Sequence, residues 1–248
     1  SNSNWHGIRF WYSSNIRIYN CYISNTTNYH GIKFHFSSDS SIYNCQIVNG
    51  DDGILISYSN NVTVFDCNLS ENNYGIGFWY SNNNTIFFNN ILNNSYGIHI
   101  ENSNNNSIFH NNFINNTVQA YDECSNIWDN GYPMGGNYWS NFTTPDNNHG
   151  YFQNMSGFDL IVDHPYNISG GNNKDRWPHT IKDGWMKPLF APNVVLVEFK
   201  QNVSNSTINA TIANYGTEVI EYLPYVNVYL LNITADNQSE FDTYYMFS

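Results

Sequence analysis

Five times in the first 113 residues the apolar positions fall into one frame around a glycine. The glycines are Gly7, Gly31, Gly53, Gly75 and Gly97, spaced 24 residues apart once and 22 thereafter. One residue after each stands Ile8, Ile32, Ile54, Ile76 or Ile98, and three after it Phe10, Phe34, Ile56, Phe78 or Ile100. Apolar residues at alternate positions mark a strand with one buried face. Two further inward columns follow, Ile18, Ile42, Val64, Ile86 and Ile108, then Ile23, Ile47, Leu69, Ile91 and Phe113. A unit this short cannot bury its own apolar face, so the units must stack on one another. The pattern predicts an all-β chain built on a right-handed parallel β-helix of about five to six coils.

Polar positions repeat in the same frame. Ser13, Ser37, Ser59, Ser81 and Ser103 form one column, and Cys21, Cys45, Cys67, Asn89 and Asn111 another. Stacked coils bring like residues about 4.8 Å apart, so these columns form ladders that can satisfy backbone groups left unpaired at the turns. Adjacent ladder cysteines are close enough for a disulfide, but they read better as small buried thiols in place of Asn. Cys124 reads as outward and unrelated to that column, and no Cys/His spacing suggests zinc. The two extra residues of the first unit fall in the turn region Ser24 to His30.

The outward positions carry aromatic columns that a coil does not need. Tyr12, Phe36, Tyr58 and Tyr80 stand five residues after the glycine, flanked by Trp11 and Trp79; Tyr19, Tyr43, Phe65, Phe87 and Phe109 stand twelve after it. An exposed strip of rings exceeds what scattered surface residues produce. It can stack for stability, bind sugar rings, or be covered by another chain or the C-terminal segment. The polar outward residues Arg9, Lys33, His35, His99 and Glu101 share one face, but Lys33 and His35 lie two or three coils from Glu101, about 14 Å by coil counting. Asp51 and Asp52 read as turn residues before Gly53. No catalytic residue is assigned.

Composition narrows the partners. Charged residues make up 11% of the 248 residues and the net charge is −12, which leaves no basic surface for nucleic acid. No run of eighteen apolar residues offers a membrane span. The chain opens inside a repeat-like stretch, as expected of a processed or excised mature chain. Asn-x-Ser/Thr triplets occur at Asn25, Asn61, Asn68, Asn83, Asn93, Asn105, Asn115, Asn141, Asn154, Asn167, Asn202, Asn205, Asn209, Asn232 and Asn237. They favour a secreted protein carrying N-linked glycans, on an archaeal or other extracytoplasmic surface.

After Phe113 the frame decays into three blocks: Gly135-Gly136-Asn137-Tyr138-Trp139-Ser140-Asn141-Phe142, Asp159-Leu160-Ile161-Val162-Asp163-His164-Pro165-Tyr166, and Asn172-Asn173-Lys174-Asp175-Arg176-Trp177-Pro178. Together with the coils they resemble the NosD-like β-helix family across about residues 1 to 190. That family takes in periplasmic copper-delivery proteins and archaeal surface proteins. Copper is not carried over, because the eight histidines are scattered and no Met/His/Cys set shows ligand spacing. The resemblance also implies calcium at Asp159 and Asp163, although Leu160 and Val162 stand where the family usually has Gly; the other reading is carboxylates that cap turns.

From Ala191 onward Val194 to Phe199, Thr207 to Ile212 and Val226 to Leu231 alternate as strands, with Asn214-Tyr215-Gly216-Thr217 as a turn. This resembles an Ig-like module of the CARDB type, shorter than a full sandwich: the module is small, the chain is cut, or another chain completes the sheet. The expected organisation is coils over 1–130, a tail or cap over 131–190 and an Ig-like module over 191–248. The expected function is a non-enzymatic, glycosylated extracellular surface protein that assembles with copies of itself or other surface proteins. The alternatives are a carbohydrate-binding or polysaccharide-degrading β-helix and a copper-delivery protein.

Overall fold

A computed structural model describes residues 7–26, 28–186, 194–198, 204–214, 217–223 and 228–233. They fall into two compact units, Ser1–Pro188 and Leu189–Ser248.

The first unit is a parallel β-helix. Each coil holds three strands: β1 (Ile8–Trp11), β2 (Arg17–Tyr19) and β3 (Tyr22–Thr26) in the first; β4 (Ile32–His35), β5 (Ser40–Tyr43) and β6 (Gln46–Gly50) in the second. The third has β7 (Asp52–Ser57), β8 (Val62–Phe65) and β9 (Asn68–Ser70), and the fourth β10 (Tyr74–Trp79), β11 (Thr85–Phe87) and β12 (Asn90–Leu92). The fifth has β13 (Tyr96–Glu101), β14 (Ser107–Phe109) and β15 (Asn112–Ile114), and β16 (Val118–Asp122) opens a sixth. Corresponding strands stack into three parallel sheets, and the register follows the sequence frame, with Ile32 on Ile54 on Ile76 on Ile98. Ile54, Ile56, Val64 and Leu69 of the third coil are all fully buried, each contributing about 2 kcal/mol of apolar burial.

The repeated glycine has a steric cause. A Cβ on Gly7, Gly31, Gly53, Gly75 or Gly97 would lie within 2.7 Å of a backbone carbonyl oxygen in the next coil. At the matching place in the sixth coil stands Gln119, and β16 is the edge of its sheet, so no further coil presses on it.

The asparagine richness has a backbone cause. Each coil turns through four residues with positive φ, the first through a fifth at Asn28, and three of these corner columns are mostly Asn or Asp: Asn15, Asp39, Asn61, Asn83 and Asn105; Asn20, Asn44 and Asp66; Asn25, Asn49, Asn93 and Asn115. These side chains tolerate the left-handed region best after glycine. Directly inside each corner runs a hydrogen-bonded ladder. The serine column holds, with the amide of Ser37 on Ser59 Oγ at 2.8 Å and that of Ser81 on Ser103 Oγ at 2.9 Å. Two more ladders went unread in the sequence, Asn84–Asn106–Asn126 and Asn72–Asn94–Asn116. Cys124 is not outward as expected: its Sγ accepts the amide of Ser103 at 3.3 Å, so it continues the serine ladder in a shortened coil.

The tail closes the coil end. Trp139 lies fully buried between Phe113 and Tyr166, with ring centroids at 4.3 and 4.1 Å. Asn137 is the last rung of the ladder that contains Asn111. The buried Asp175 carboxylate accepts the Asn137 amide at 2.7 Å and Trp139 Nε1 at 2.8 Å. Burial pushes Asp175 up to about 8 against the pull of these N–H donors. Asp122 receives Trp128 Nε1 at 2.8 Å, and Arg176 pairs with Asp129. The three tail blocks are thus parts of one plug.

The second unit differs from the expected strands. Asn205–Asn214, including Thr207 to Ile212, is an α-helix. Ile208 and Ile212, four apart, satisfy both a helical and an alternating pattern. Ser204 decides the matter by capping, its Oγ accepting the Thr207 amide at 3.2 Å. The helix packs on Thr217–Leu223. Val194–Glu198 and Thr217–Leu223 flank Val228–Ile233 in one antiparallel sheet. Tyr215 and Gly216 of the expected turn lie outside the described residues.

Candidate functional site on the outer face of the coils

The fourth corner column departs most from Asn and Asp, although Phe88 and His110 also take positive φ in the column of Asn20, Asn44 and Asp66. It holds Tyr12, Phe36, Tyr58 and Tyr80 at φ 48–52°, and Asn102 only in the fifth coil. A bulky residue in this region costs about 1 kcal/mol or more, so the backbone does not ask for these rings. They stack face to face at 4.9, 4.9 and 5.0 Å, with planes within 23° of parallel. Such stacking returns about 0.5–1.5 kcal/mol per pair, close to the corner cost. The rings remain 72, 40, 43 and 48% exposed, and Trp11 and Trp79 beside them are exposed as well. Because each ring covers its neighbour, the column presents ring edges to solvent along its length.

The second aromatic column, expected to be exposed, is so only at Tyr19. Tyr43, Phe65, Phe87 and Phe109 are half-buried, each shielded by stacking at 5.0–5.8 Å.

The outer face of the glycine-bearing sheet is more covered than its sequence suggested. Leu55 and Ser57, which pair with Lys33 and His35 on this sheet, are buried. Arg9 lies over the Trp11 ring at 4.3 Å, His35 Nδ1 meets Ser57 Oγ at 3.1 Å, and His99 Nε2 stands 3.7 Å from Glu101. Burial lowers the pKa of Lys33, His35 and His99. Asp52 is 2% exposed and pairs through Oδ2 with His30 Nδ1, while Asp51 accepts the Asn73 amide nitrogen Nδ2 at 3.2 Å. Burial raises Asp52 despite the His30 contact. Among the described residues, His30, Asp51 and Asp52 form the one group of three His, Cys or acidic side chains with donor atoms within 4.8 Å of each other.

Among the described residues Asp159 and Asp163 do not belong to a group of three His, Cys or acidic side chains with donor atoms within 4.8 Å of one another. Asp163 accepts the amides of Asn147 and Asn148 at 3.2 and 3.0 Å, and Asp159 accepts the Ile161 amide and Gln153 Nε2. Asp163 thus ties its segment to the one at Asn147 and Asn148, while Asp146 accepts the Asp159 and Leu160 amides in return. Of the glycosylation candidates, Asn25, Asn61, Asn83, Asn93, Asn105 and Asn115 are exposed corner residues, so the fold alone accounts for asparagine there. Asn141, Asn154, Asn167 and Asn209 are also exposed, and Asn68 is half-buried in β9; Asn202 and Asn237 lie outside the described residues, as do the side chains of Asn205 and Asn232.

Cys21, Cys45 and Cys67 occupy one inward column as free thiols, Cys45 and Cys67 buried and Cys21 half-exposed. Each Sγ contacts the carbonyl two residues earlier, at 3.4, 3.3 and 3.3 Å.

Neither a curated protein nor a solved structure matches the chain. The family model described as fervidolysin N-terminal prodomain matches residues 185–241, the helix-and-sheet unit, where an Ig-like module had been expected. The family model described as periplasmic copper-binding protein (NosD) matches residues 1–144, more than half of the sequence and all five glycine-framed coils, and the chain belongs to that family.

Proposed function

We propose that the chain is a non-enzymatic envelope or surface scaffold, glycosylated at exposed corner asparagines, whose coils associate with a second copy along the Tyr12–Phe36–Tyr58–Tyr80 column. The observation that carries this reading is the placement of four bulky rings at a corner where asparagine suits the backbone better. Corner cost and stacking gain nearly cancel, so burial of the exposed edges against another chain supplies the surplus. The periplasmic family supports a location outside the cytoplasm. A sugar platform needs open ring faces, and here each face inside the column is covered by the next ring. The family description also names copper. Among the described residues no group of three histidines forms, although the His110 and His179 rings lie 5.9 Å apart, and the thiols of Cys21, Cys45 and Cys67 share one inward column. The scaffold reading holds with or without metal there.

Light scattering of the full chain over a range of concentrations tests the association. Wild type should self-associate, and the double variant Phe36→Ser/Tyr58→Ser should remain monomeric with an unchanged circular dichroism spectrum. A wild-type monomer at every concentration, retained on an oligosaccharide column, would overturn the scaffold reading in favour of carbohydrate binding.

A further inference from the structure

Charge is divided along the coils as sharply as the apolar pattern. Residues 1–38 contain Arg9, Arg17 and Lys33 and no acidic residue, whereas from Asp39 to Asn173 acidic residues recur and neither Lys nor Arg occurs. The register of the glycine-bearing sheet turns this division into two poles on one outer face. Arg9 and Lys33 pair in the first two coils, and Glu101 ends the row that runs through Trp11, His35, Ser57 and Trp79. Arg9 is exposed, its Cζ 4.3 Å above the Trp11 ring. Glu101 keeps 33% of its side chain exposed. Burial holds His99, 3.7 Å away, below its ordinary 6.5, so it is neutral at pH 7 and does not offset the Glu101 charge.

The exposed rings lie between these poles. The column Tyr12–Phe36–Tyr58–Tyr80 gives way to Asn102 in the fifth coil, beside Glu101. Two copies that meet on this face can be related by a two-fold axis along the coils or across them. An axis along the coils sets every coil against its own counterpart, so Arg9 meets Arg9 and Glu101 meets Glu101. An axis across the third coil reverses one copy. The first coil then faces the fifth of the other copy, Phe36 lies against Tyr80, and Tyr58 meets its own equivalent. Arg9 faces Glu101 twice, at points four coil rises or about 19 Å apart. Like charges set opposite one another repel, whereas opposite charges steer the encounter and fix its register.

We infer that two copies of the chain pair antiparallel on this face, with Arg9 of each against Glu101 of the other and the ring columns between the two charge pairs. This rests on the self-association proposed above and adds its direction. Ring burial supplies the affinity, and Arg9 and Glu101 select the register. Each copy uses the same patch, so the contact closes at two chains and does not extend into a filament.

Sedimentation velocity of the full chain tests the pairing, with circular dichroism to check the fold of each variant. Wild type should sediment as a dimer, and Arg9→Glu and Glu101→Arg should each weaken dimerisation about tenfold or more. Glu101→Arg is the sharper of the two, because it takes the net charge from −12 to −10 and would strengthen association if overall repulsion alone decided it. An equimolar mixture of the two variants should dimerise as wild type does, and so should the double variant Arg9→Glu/Glu101→Arg. If Glu101→Arg does not fold, Glu101→Gln should still weaken dimerisation. Dimerisation indifferent to these changes, or a preference of Arg9→Glu for wild type over Glu101→Arg, overturns the antiparallel arrangement and leaves association itself standing. A wild-type chain that stays monomeric overturns both; its retention on heparin, lost in Arg9→Glu, would assign the cationic pole to an acidic polysaccharide instead.

Discussion

Replacing Asn89 by alanine removes four contacts at once. The side chain accepts the Cys67 amide and donates to Val64 O, Phe87 O and Asn111 Oδ1, all within 3.0 Å and with Asn89 itself fully buried. Alanine leaves one buried N–H and at least one buried carbonyl without a partner. Each orphan costs about 1–3 kcal/mol, so the total is about 3–5 kcal/mol with the lost volume included. For a unit of this size that corresponds to a fall in Tm of roughly 10–15 °C. Asn82 is the control. Its Oδ1 also accepts an amide, that of Asn104 at 2.7 Å, but from a partly exposed position that water can fill. Asn82→Ala should therefore cost less than about 0.5 kcal/mol. Thermal unfolding of both variants, followed by circular dichroism and tryptophan fluorescence, makes the comparison. Equal shifts for the two would show that the inner ladders do not hold the coils together.

Other perturbations follow from the same geometry. Gly75→Ala places a Cβ 2.5 Å from Gly97 O and 2.9 Å from Ile91 Cγ2, so the coils must part; we expect a loss of about 3 kcal/mol in denaturant unfolding, and a neutral result would contradict the steric account of the glycine column. His179 is buried in the cap, and burial holds it down to about 4 from 6.5. Below pH 6.5 the unfolded chain takes up a proton that the folded one refuses, so stability present above 6.5 is lost as the pH falls toward 4, by about 3 kcal/mol. The urea midpoint of wild type should fall between pH 7 and 4.5 relative to His179→Gln; parallel curves would show that His179 does not titrate with unfolding.

Much of the coil could be read from residue types alone. The four apolar columns, the serine ladder and the cysteine–asparagine ladder follow directly from period and stacking. The corner columns were equally visible as Asn or Asp in Asn15, Asp39, Asn61, Asn83 and Asn105, but their cause is a backbone angle, which composition does not display. That same cause explains why several glycosylation triplets recur at one place in the coil. The plug was hidden because its contacts are distant in sequence: Asp175 meets Asn137 and Trp139 across 38 and 36 residues. In the second unit Ile208 and Ile212 fit two periods, and only the Ser204 cap separates them. The outer aromatic column was legible as rings, whereas its positive φ and its covered faces required coordinates.

Hydroxyl-radical footprinting of the full chain, in dilute solution and in its concentrated associated form, tests the central claim most directly. Tyr12, Phe36, Tyr58 and Tyr80 should react readily when dilute and become protected on association, while exposed Tyr151 and Phe152 of the tail keep their reactivity. Unchanged reactivity of the four column rings in the associated form would contradict the account of a scaffold that works through its outer face.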